Sequence, residues 1–383
     1  MNQGLTNATP REDDRAAAIL SNVRQVVSQD LRPIVSEIDE GFFPGDVMHN
    51  LASIGAMSAH LDASHGQNDY QLALKAMAEV SKVCGSTGFM TWCQAVCGLY
   101  LQNAQSEYLS QTLLEDHASG FTLGGTALSN PMKTFAKIEQ FLLFATPTAN
   151  GYRINGKLPW VSNLGASHYC AAIAQVQSDP DRQVMFLLRC DGAGVQLTPC
   201  PKFSGMEGTG TYALHLKDYE VGPDDIIADP VAPWIKRIRP AFVLLQTGWA
   251  AGIIEASIAS IMASDASLGH VNCFLNVQGD DLRQEYQRWW GDVLALARNP
   301  LDSSDEFFLA VLKARAKASE LSLVAAQSAL LHQGAAGYVM SSPVQRRVRE
   351  SHFVAIVTPA LKHLRKEITR LETQSSVPKS CVS

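Results

Sequence analysis

The most informative local pattern of this chain lies in Gly151-Tyr-Arg-Ile-Asn-Gly-Lys-Leu-Pro-Trp-Val-Ser-Asn-Leu-Gly-Ala-Ser-His168. Tyr152 and Ile154 alternate with polar neighbours, which is typical of a half-buried strand. Asn155-Gly156 is a strong two-residue turn signal, and a second apolar run follows at Trp160-Val161. The pattern therefore predicts a β-hairpin with its turn at Asn155-Gly156.

The sequence on either side of this stretch divides into three segments. Residues 1–120 are mainly helical in pattern, residues 121–232 alternate and are interrupted by Gly, Pro and Asn, and residues 233–383 return to helical spacing. A chain of 383 residues is too long for one ordinary core. These patterns alone predict an α+β protein of three segments.

Individual elements follow from the same periodicities. Helices are expected over 15–38, 47–51, 70–83, 233–265, 279–298, 304–331 and 341–372, and strands over 140–145, 169–176, 184–188 and 212–216. Residues 241–263 are almost apolar enough for a membrane span, but Gln246 and Glu255 favour a buried bundle helix.

Composition excludes several classes of function. The chain is 46% hydrophobic and 18% charged with a formal charge of −6, which argues against a nucleic-acid or anionic-membrane surface. Eight cysteines are scattered without a CxxC motif, and no histidine lies near Cys93 or Cys97 at metal-ligand spacing. The first residues are polar and contain no apolar signal region. We expect a cytoplasmic protein with free thiols and no metal site.

Three motifs carry a resemblance to a known family. "INGKLPWVSN" (154–163) resembles the "INGxKxWITN" hairpin of the acyl-CoA dehydrogenase superfamily, "LSNP" (128–131) resembles its "LTEPxxGSD" loop, and "QGAAGY" (333–338) resembles its "GGxGY" turn. The resemblance implies an α+β, acyl-CoA dehydrogenase-like fold: an N-terminal helical domain (1–120), a central flavin-binding β-barrel domain (121–232) and a C-terminal four-helix bundle (233–383).

The resemblance also implies a flavin site. Trp160 would lie beside the flavin ring and Ser162 would donate a hydrogen bond toward its N5 edge. The further residues implied in cofactor binding are Leu128, Ser129, Asn130, Val161, Gln333, Gly334 and Ala335. The last three would reach the cofactor of a neighbouring subunit, which implies a homo-oligomer, a tetramer by preference. The alternatives are that Trp160 is a strand-core aromatic, Ser162 a turn hydroxyl and the glycine turn a plain helix end.

Two family features are missing from this chain. No arginine matches the "RxxFG" residue that contacts the flavin pyrophosphate, which implies weak or exchangeable flavin. The catalytic glutamate of the family lies nine residues after an arginine matched by Arg349, and Thr358 occupies that position. Phe242 occupies the position used by a minority of members. Thr358-Pro359 is also a good N-cap and first position for the helix that follows.

Loss of the glutamate with the flavin motifs retained resembles the flavin-dependent monooxygenase branch. That branch takes reduced flavin from a separate NAD(P)H:flavin reductase and uses O2. Within it, the chain resembles most the group that acts on indole or indole-3-acetate, so the resemblance implies a small aromatic substrate, with FAD favoured over FMN. The expected catalytic residues are Ser162, Thr126 and His352, and the expected substrate-binding residues are Trp92, Phe242 and Thr358. Two alternatives stay open: an acyl-CoA dehydrogenase or oxidase with a relocated base, for which Glu255 and Glu350 are the nearest acids, and a non-catalytic superfamily member.

Overall fold

The computed structural model describes residues 12–62 and 64–376, so the polar ends at 1–11 and 377–383 lie outside the described residues. The first part of the chain is helical. Its helices are α1 (Glu12–Val26), α2 (Arg32–Asp39), α3 (Gly45–Ser53), α4 (Tyr70–Ser81), α5 (Gly85–Gln102) and α6 (Leu114–Ser119), with π-helical turns at Val27–Leu31 and Tyr108–Leu113. Every residue of α5 from Gly85 to Leu101 is buried, because this helix is apolar on all faces and lies at the centre of the molecule.

Eight strands form one sheet between residues 124 and 228. They are β1 (Gly124–Thr126), β2 (Leu143–Thr148), β3 (Gly151–Val161), β4 (Tyr169–Val176), β5 (Asp179–Arg189), β6 (Val195–Pro199), β7 (Tyr212–Val221) and β8 (Ile226–Ala228), with helix α7 (Ser129–Phe135) between β1 and β2. The order is β6-β7-β3-β2-β4-β5-β8, with β1 beside β4. The β1–β4 and β2–β4 pairs are parallel and the others are antiparallel.

The predicted hairpin turn at Asn155-Gly156 is wrong. Strand β3 passes through both residues, and the hairpin lies one segment earlier, where Ala149-Asn150 joins β2 to β3 with Thr148 opposite Gly151. The turn-forming pair instead makes an irregularity in the β3–β7 register. Gly156 has φ +140°, and Asn155 bridges to Asp218 through its side-chain amide, which donates to the carboxylate (3.3 Å) and accepts from the backbone N–H (2.9 Å).

The last part of the chain is a helical bundle. It contains α8 (Val231–Asn272), α9 (Gly279–Leu296), α10 (Asp305–Gln333), a 3₁₀ turn (Gly334–Tyr338), α11 (Pro343–Ile356) and α12 (Leu361–Ser376). The single helix expected over 341–372 is wrong, because the backbone turns extended at Val357 (φ −61°, ψ 145°) and residues 357–360 separate α11 from α12. Among the described residues, α8 is the one helix long and apolar enough to cross a membrane, and its apolar stretch is mostly buried inside the protein. The predicted buried helix over 241–263 is confirmed.

Two apolar cores position the site. One joins the helices to the inner side of the sheet, and the other fills the space between β2, β3, β4, β5 and β7. Ser129 starts α7 and Ser162 follows β3, so both lie at the edge where the sheet meets the bundle. The ends of α7 and β3 therefore face α5, α8 and α11 across a cleft.

Candidate active site

A cavity of about 410 Å³ occupies this cleft. Its walls come from α5, α7, α8 and α11, from the end of β3, and from the loop between β6 and β7. Eight of the residues singled out from the sequence line it together: Trp92, Thr126, Ser129, Trp160, Ser162, Phe242, His352 and Thr358. They are spread over 267 positions of the chain (92–358), and the fold brings them to one place.

One end of the cavity is aromatic. Phe89 stacks on Trp92 with ring centroids 5.4 Å apart, and Phe353 meets Phe89 edge-on at 4.9 Å. Phe242 meets Trp92 at 5.3 Å, and its backbone oxygen accepts a hydrogen bond from the Trp92 indole at 3.3 Å. Such pairs add a directional preference to apolar burial. This end can hold a flat apolar ring and keep water away from it.

The other end presents hydroxyl groups that are hydrogen-bonded in pairs. The Ser129 and Thr358 hydroxyls are 2.8 Å apart, and those of Ser162 and Thr211 are 2.7 Å apart. Thr126 lies 3.0 Å from the hydroxyl of Tyr100, whose pKa is raised well above its usual value by burial. Each Ser or Thr hydroxyl can donate one bond and accept others, so these groups can also meet the polar edge of a ligand.

Trp160 is the most open aromatic of the cavity. Its side chain is 61% exposed on a β-strand, and within the described part of the chain no aromatic ring packs against it. Exposed tryptophan faces of this size are uncommon unless something covers them. Trp160 therefore offers an uncovered planar surface beside the hydroxyl pair of Ser162 and Thr211.

A buried arginine supports the link between α11 and α12, which is formed by residues 357–360. Arg315, on α10, is fully buried, and its guanidinium donates to the side-chain oxygen of Gln246 (2.8 Å) and to the carbonyl of Val354 (2.6 Å). Gln246 in turn donates to the carbonyl of Thr358 at 2.9 Å. Burial lowers the pKa of Arg315 to about 9, and no carboxylate pairs with it among residues 12–62 and 64–376. This network fixes the backbone of Thr358, and with it the position from which the Thr358 hydroxyl bonds Ser129.

The capping interpretation of Thr358-Pro359 is wrong. Helix α12 begins at Leu361, and the amide of Leu364 donates to the carbonyl of Ala360. The Thr358 hydroxyl, which would have to accept an amide proton as a cap, instead bonds Ser129 on α7. Thr358 is thus part of the cavity wall.

The acidic side chains near this cavity are engaged elsewhere. Glu350 accepts from the amide of Gly85 (2.9 Å) and pairs with Arg346 (3.3 Å), while burial raises its pKa. Glu255 pairs with Lys82 at 2.8 Å and accepts from Tyr286. Of the described residues that line the cavity, none is Asp or Glu. The two relocated bases considered from the sequence therefore lie outside it.

Several predicted cofactor residues do not reach the cavity with their side chains. Leu128 and Val161 are buried in the two apolar cores. Asn130 donates to Glu139 and to the carbonyl of Gln140, and so supports the loop before β2. Gln333, Gly334 and Ala335 lie 18 or more residues along the chain from Arg315, which is roughly 27 Å of helix. Their contact with a neighbouring subunit stays a prediction.

Other lining residues were not anticipated. Phe89 is three residues before Trp92 on α5, so helical spacing was a usable signal for it. Phe353 follows His352 directly, but Thr209 and Thr211 come from the segment before β7, where no local pattern pointed to a site. No group of three or more metal-ligating side chains occurs in the described ranges.

The fold of this chain is similar to that of several solved structures. Butyryl-CoA dehydrogenase from Megasphaera elsdenii superimposes with a TM-score of 0.82 over 97% of this chain and 100% of its own, at 18% identity. The chain has the acyl-CoA dehydrogenase fold. Dibenzothiophene monooxygenase (TdsC) from Paenibacillus sp. A11-2 shares this fold, with a TM-score of 0.78, 15% identity, and coverage of 94% and 97%.

Sequence comparisons agree with the acyl-CoA dehydrogenase fold. Residues 13–121 match the family "Acyl-CoA dehydrogenase, N-terminal domain". "Probable acyl-CoA dehydrogenase YngJ" of Bacillus subtilis is 23% identical over 87% of this chain and 91% of its own length. The mitochondrial short-chain specific acyl-CoA dehydrogenase of Homo sapiens is 24% identical over 88% and 85%. These matches support membership of the acyl-CoA dehydrogenase superfamily.

Proposed function

We propose that this chain is a flavin-dependent monooxygenase built on the acyl-CoA dehydrogenase fold. It would use reduced flavin, FAD in preference to FMN, supplied by a separate NAD(P)H:flavin reductase. With O2, it would hydroxylate or epoxidise a small aromatic substrate, and indole-type compounds are the first to test. The site lies in a protein that we expect to be cytoplasmic.

The observation that carries this proposal is the missing carboxylate. A dehydrogenase that removes a proton from carbon needs a base within hydrogen-bond reach of that carbon. The described lining residues include no Asp or Glu, and a threonine hydroxyl has no useful basicity near neutral pH. The cavity is therefore poorly suited to abstraction of a proton from carbon. Its shape and surface suit a flat cofactor and a flat substrate.

The residues present fit a flavin. Trp160 has an uncovered ring face, and hydroxyls of Ser162, Thr126 and Ser129 surround the same space. When bound in reduced form, flavin supplies the electrons that activate O2. In this arrangement Trp160 would cover the ring and Ser162 would donate a hydrogen bond at its edge, as the resemblance to the family also implies.

The aromatic end would bind the substrate. Phe89, Trp92 and Phe242 form an apolar pocket in which a small aromatic ring can pack, and a ring bound there would displace water. Exclusion of water protects reactive intermediates from unproductive decay. His352, an exposed residue of α11 that lines the cavity, is proposed to pass protons between the site and solvent.

The test is oxygen incorporation. The purified protein, an NAD(P)H:flavin reductase, flavin and an aromatic substrate should yield a product that carries one atom from ¹⁸O2, while the other atom leaves as water. Omission of the reductase and NAD(P)H should abolish the product. Bleaching of bound oxidised flavin by an acyl-CoA without any reductase would contradict the proposal.

Thr358→Glu separates the proposal from its main alternative, with Thr358→Gln as a size-matched neutral control. In a dehydrogenase that merely lost its base, the glutamate should raise acyl-CoA oxidation by about 10²-fold or more. For a monooxygenase we expect no gain, and loss of oxygenation beyond that of the glutamine variant, because a buried charge costs desolvation. The alternative deserves this experiment because the relatives are mostly named acyl-CoA dehydrogenases.

A further inference from the structure

A second cleft, of about 240 Å³, lies on the opposite face of α7 from the cavity. The two share one wall: Ser129 and Lys133 face the cavity, whereas Met132 and Phe135 face the cleft. Neighbouring residues of two other elements are shared between the two sites in the same way. Thr358 lines the cavity and Pro359 lines the cleft. Phe242 lines the cavity and Val243 lines the cleft. The cleft is therefore a separate site, one helix away from the first.

Its floor is apolar and its upper edge is basic. Met132, Ile235, Val243, Phe308 and Leu312 form the floor. Around them stand four basic side chains, Lys137, Arg239, Lys366 and Arg370, and a single acidic one, Glu367. A surface of this kind complements a ligand with an apolar body and an anionic end.

The positive charge of the cleft is only partly neutralised. Glu367 accepts from Arg370 at 2.9 Å, and Asp305 lies 3.4 Å from Arg239 but is largely exposed. Within the described part of the chain, no carboxylate pairs with Lys137 or Lys366. Lys366 donates to the carbonyl of Ala136, and an ammonium group retains two further donors after one such bond.

Two buried nitrogens in the cleft form no hydrogen bond with any described residue. They are the Nε of Arg239 and the Nδ1 of His363, and His363 is only 6% exposed. The guanidinium carbon of Arg239 lies over the ring of Phe308, 4.1 Å from its centroid, and this contact favours the position of the side chain. An unpaired buried donor is unfavourable, and an acceptor on a bound ligand would satisfy it.

We propose that this cleft binds an amphipathic oxyanion. The apolar body packs on the floor against Phe308 and Leu312, and a carboxylate or phosphate group receives hydrogen bonds from Arg239 and Lys366. Guanidinium and ammonium groups favour such oxyanions because the hydrogen bonds are charge-assisted. The site needs no flavin, no O2 and no turnover, so it stands or falls separately from the proposed oxygenase activity.

Isothermal titration calorimetry on the full-length protein, without flavin, tests the site. The probes are phenylacetate, phenyl phosphate and the neutral phenylacetamide. We expect one anion per chain, with the amide bound at least 10-fold more weakly. Whichever anion binds more tightly identifies the preferred oxyanion, carboxylate or phosphate. Equal affinity for phenylacetamide and phenylacetate would overturn the proposal.

Four variants locate the binding. Arg239→Gln and the rim substitution Lys366→Gln should each weaken phenylacetate binding at least 10-fold. Lys236→Gln, an exposed residue one turn from Arg239 that does not line the cleft, should leave it unchanged. Ser129→Ala, in the other cavity, should also leave it unchanged. Binding that survives both cleft substitutions, or that is lost in Ser129→Ala alone, would contradict the assignment. Unaltered thermal unfolding of Lys366→Gln shows that its effect is local.

Discussion

At the scale of single residues, the candidate site is made of short hydroxyl side chains whose partners are remote in sequence. Ser129 meets Thr358 across 229 positions, and Ser162 meets Thr211 across 49. Family motifs identified both members of the first pair and Ser162 of the second. The partners Thr211 and Gln246, and the buried Arg315 behind them, carry no local pattern, because their roles depend on hydrogen bonds made by the folded backbone.

Flavin affinity is the first prediction at this scale. Trp160→Ala removes a stacking surface, and Ser162→Ala removes a hydrogen bond of about 1 kcal/mol, so we expect Ser162→Ala to weaken binding about 5-fold and Trp160→Ala by at least as much. Phe144→Ala is the control, because Phe144 is an exposed aromatic of the same sheet outside the cavity. Fluorescence titration measures the affinities. Equal affinity in wild type and both cavity variants would exclude the assigned flavin position.

At the scale of elements, helices were predicted well from periodicity, and turn chemistry was the weak point. Asn155-Gly156 has the composition of a hairpin turn, yet it bulges a continuous strand, because β7 supplies the partner for Asn155. Residues 341–372 were predicted as one helix, yet residues 357–360 interrupt it, and the Arg315 network and the Ser129 bond hold this link in place. In both places tertiary hydrogen bonds override a local preference.

Gly156→Ala tests the bulge in β3. An added Cβ would lie 2.1 Å from the carbonyl oxygen of Leu142, and φ is +140°, so we expect a loss of roughly 2–3 kcal/mol in the free energy of unfolding. Gly291→Ala, on helix α9 with no atom within 4 Å of the new methyl, should instead stabilise the protein by roughly 0.5–1 kcal/mol. Urea unfolding compares the two. A neutral Gly156→Ala would show that the bulge relaxes freely.

At the scale of the whole molecule, buried histidines couple stability to pH. His117 lies between the carbonyl of Gln94 (2.8 Å) and the hydroxyl of Tyr169 (2.7 Å), and His60 bonds the carbonyl of Ala95 (2.9 Å). Burial lowers the pKa of each to about 4. Both residues face α5, so their ionisation would affect the central helix of the protein.

His60 and His117 predict that the free energy of unfolding falls in acid. The unfolded chain binds protons near pH 6.5 and the folded protein only near pH 4, so stability is full above 6.5 and falls as the pH drops toward 4. Each histidine contributes on the order of 3 kcal/mol to this loss. Urea unfolding at pH 7.0, 5.5 and 4.5 should show the decline, and His60→Gln should make it less steep. A stability independent of pH across this range would contradict the prediction.

Self-association is the second prediction at this scale. Exposed apolar side chains cluster where α8 and α10 end together, as the bond from Asn272 to the carbonyl of His332 shows. They are Val271, Phe274, Leu331, Tyr338, Val339 and Met340. A patch of this kind favours burial against a second copy, and we expect a homo-oligomer, a tetramer by preference.

Light scattering at micromolar concentration measures the assembly. Phe274→Ser should shift it toward smaller species, because that ring is 84% exposed within the patch. Phe121→Ser, at an equally open position elsewhere on the surface, should not. A monodisperse monomer of the wild type would refute the prediction.

The bond between Ser129 and Thr358, together with the bidentate contact of Arg349 with Asp39 across 310 positions, has a consequence for biosynthesis. The N-terminal helices and the sheet emerge from the ribosome long before residues 349–358 do, and domains generally fold in the order of their synthesis. The aromatic side chains of α5 that line the cavity therefore remain uncovered on one side until α11 has been translated. The proposed flavin site is consequently complete only after α11 has been made, and a nascent chain stalled before α11 would expose this apolar surface.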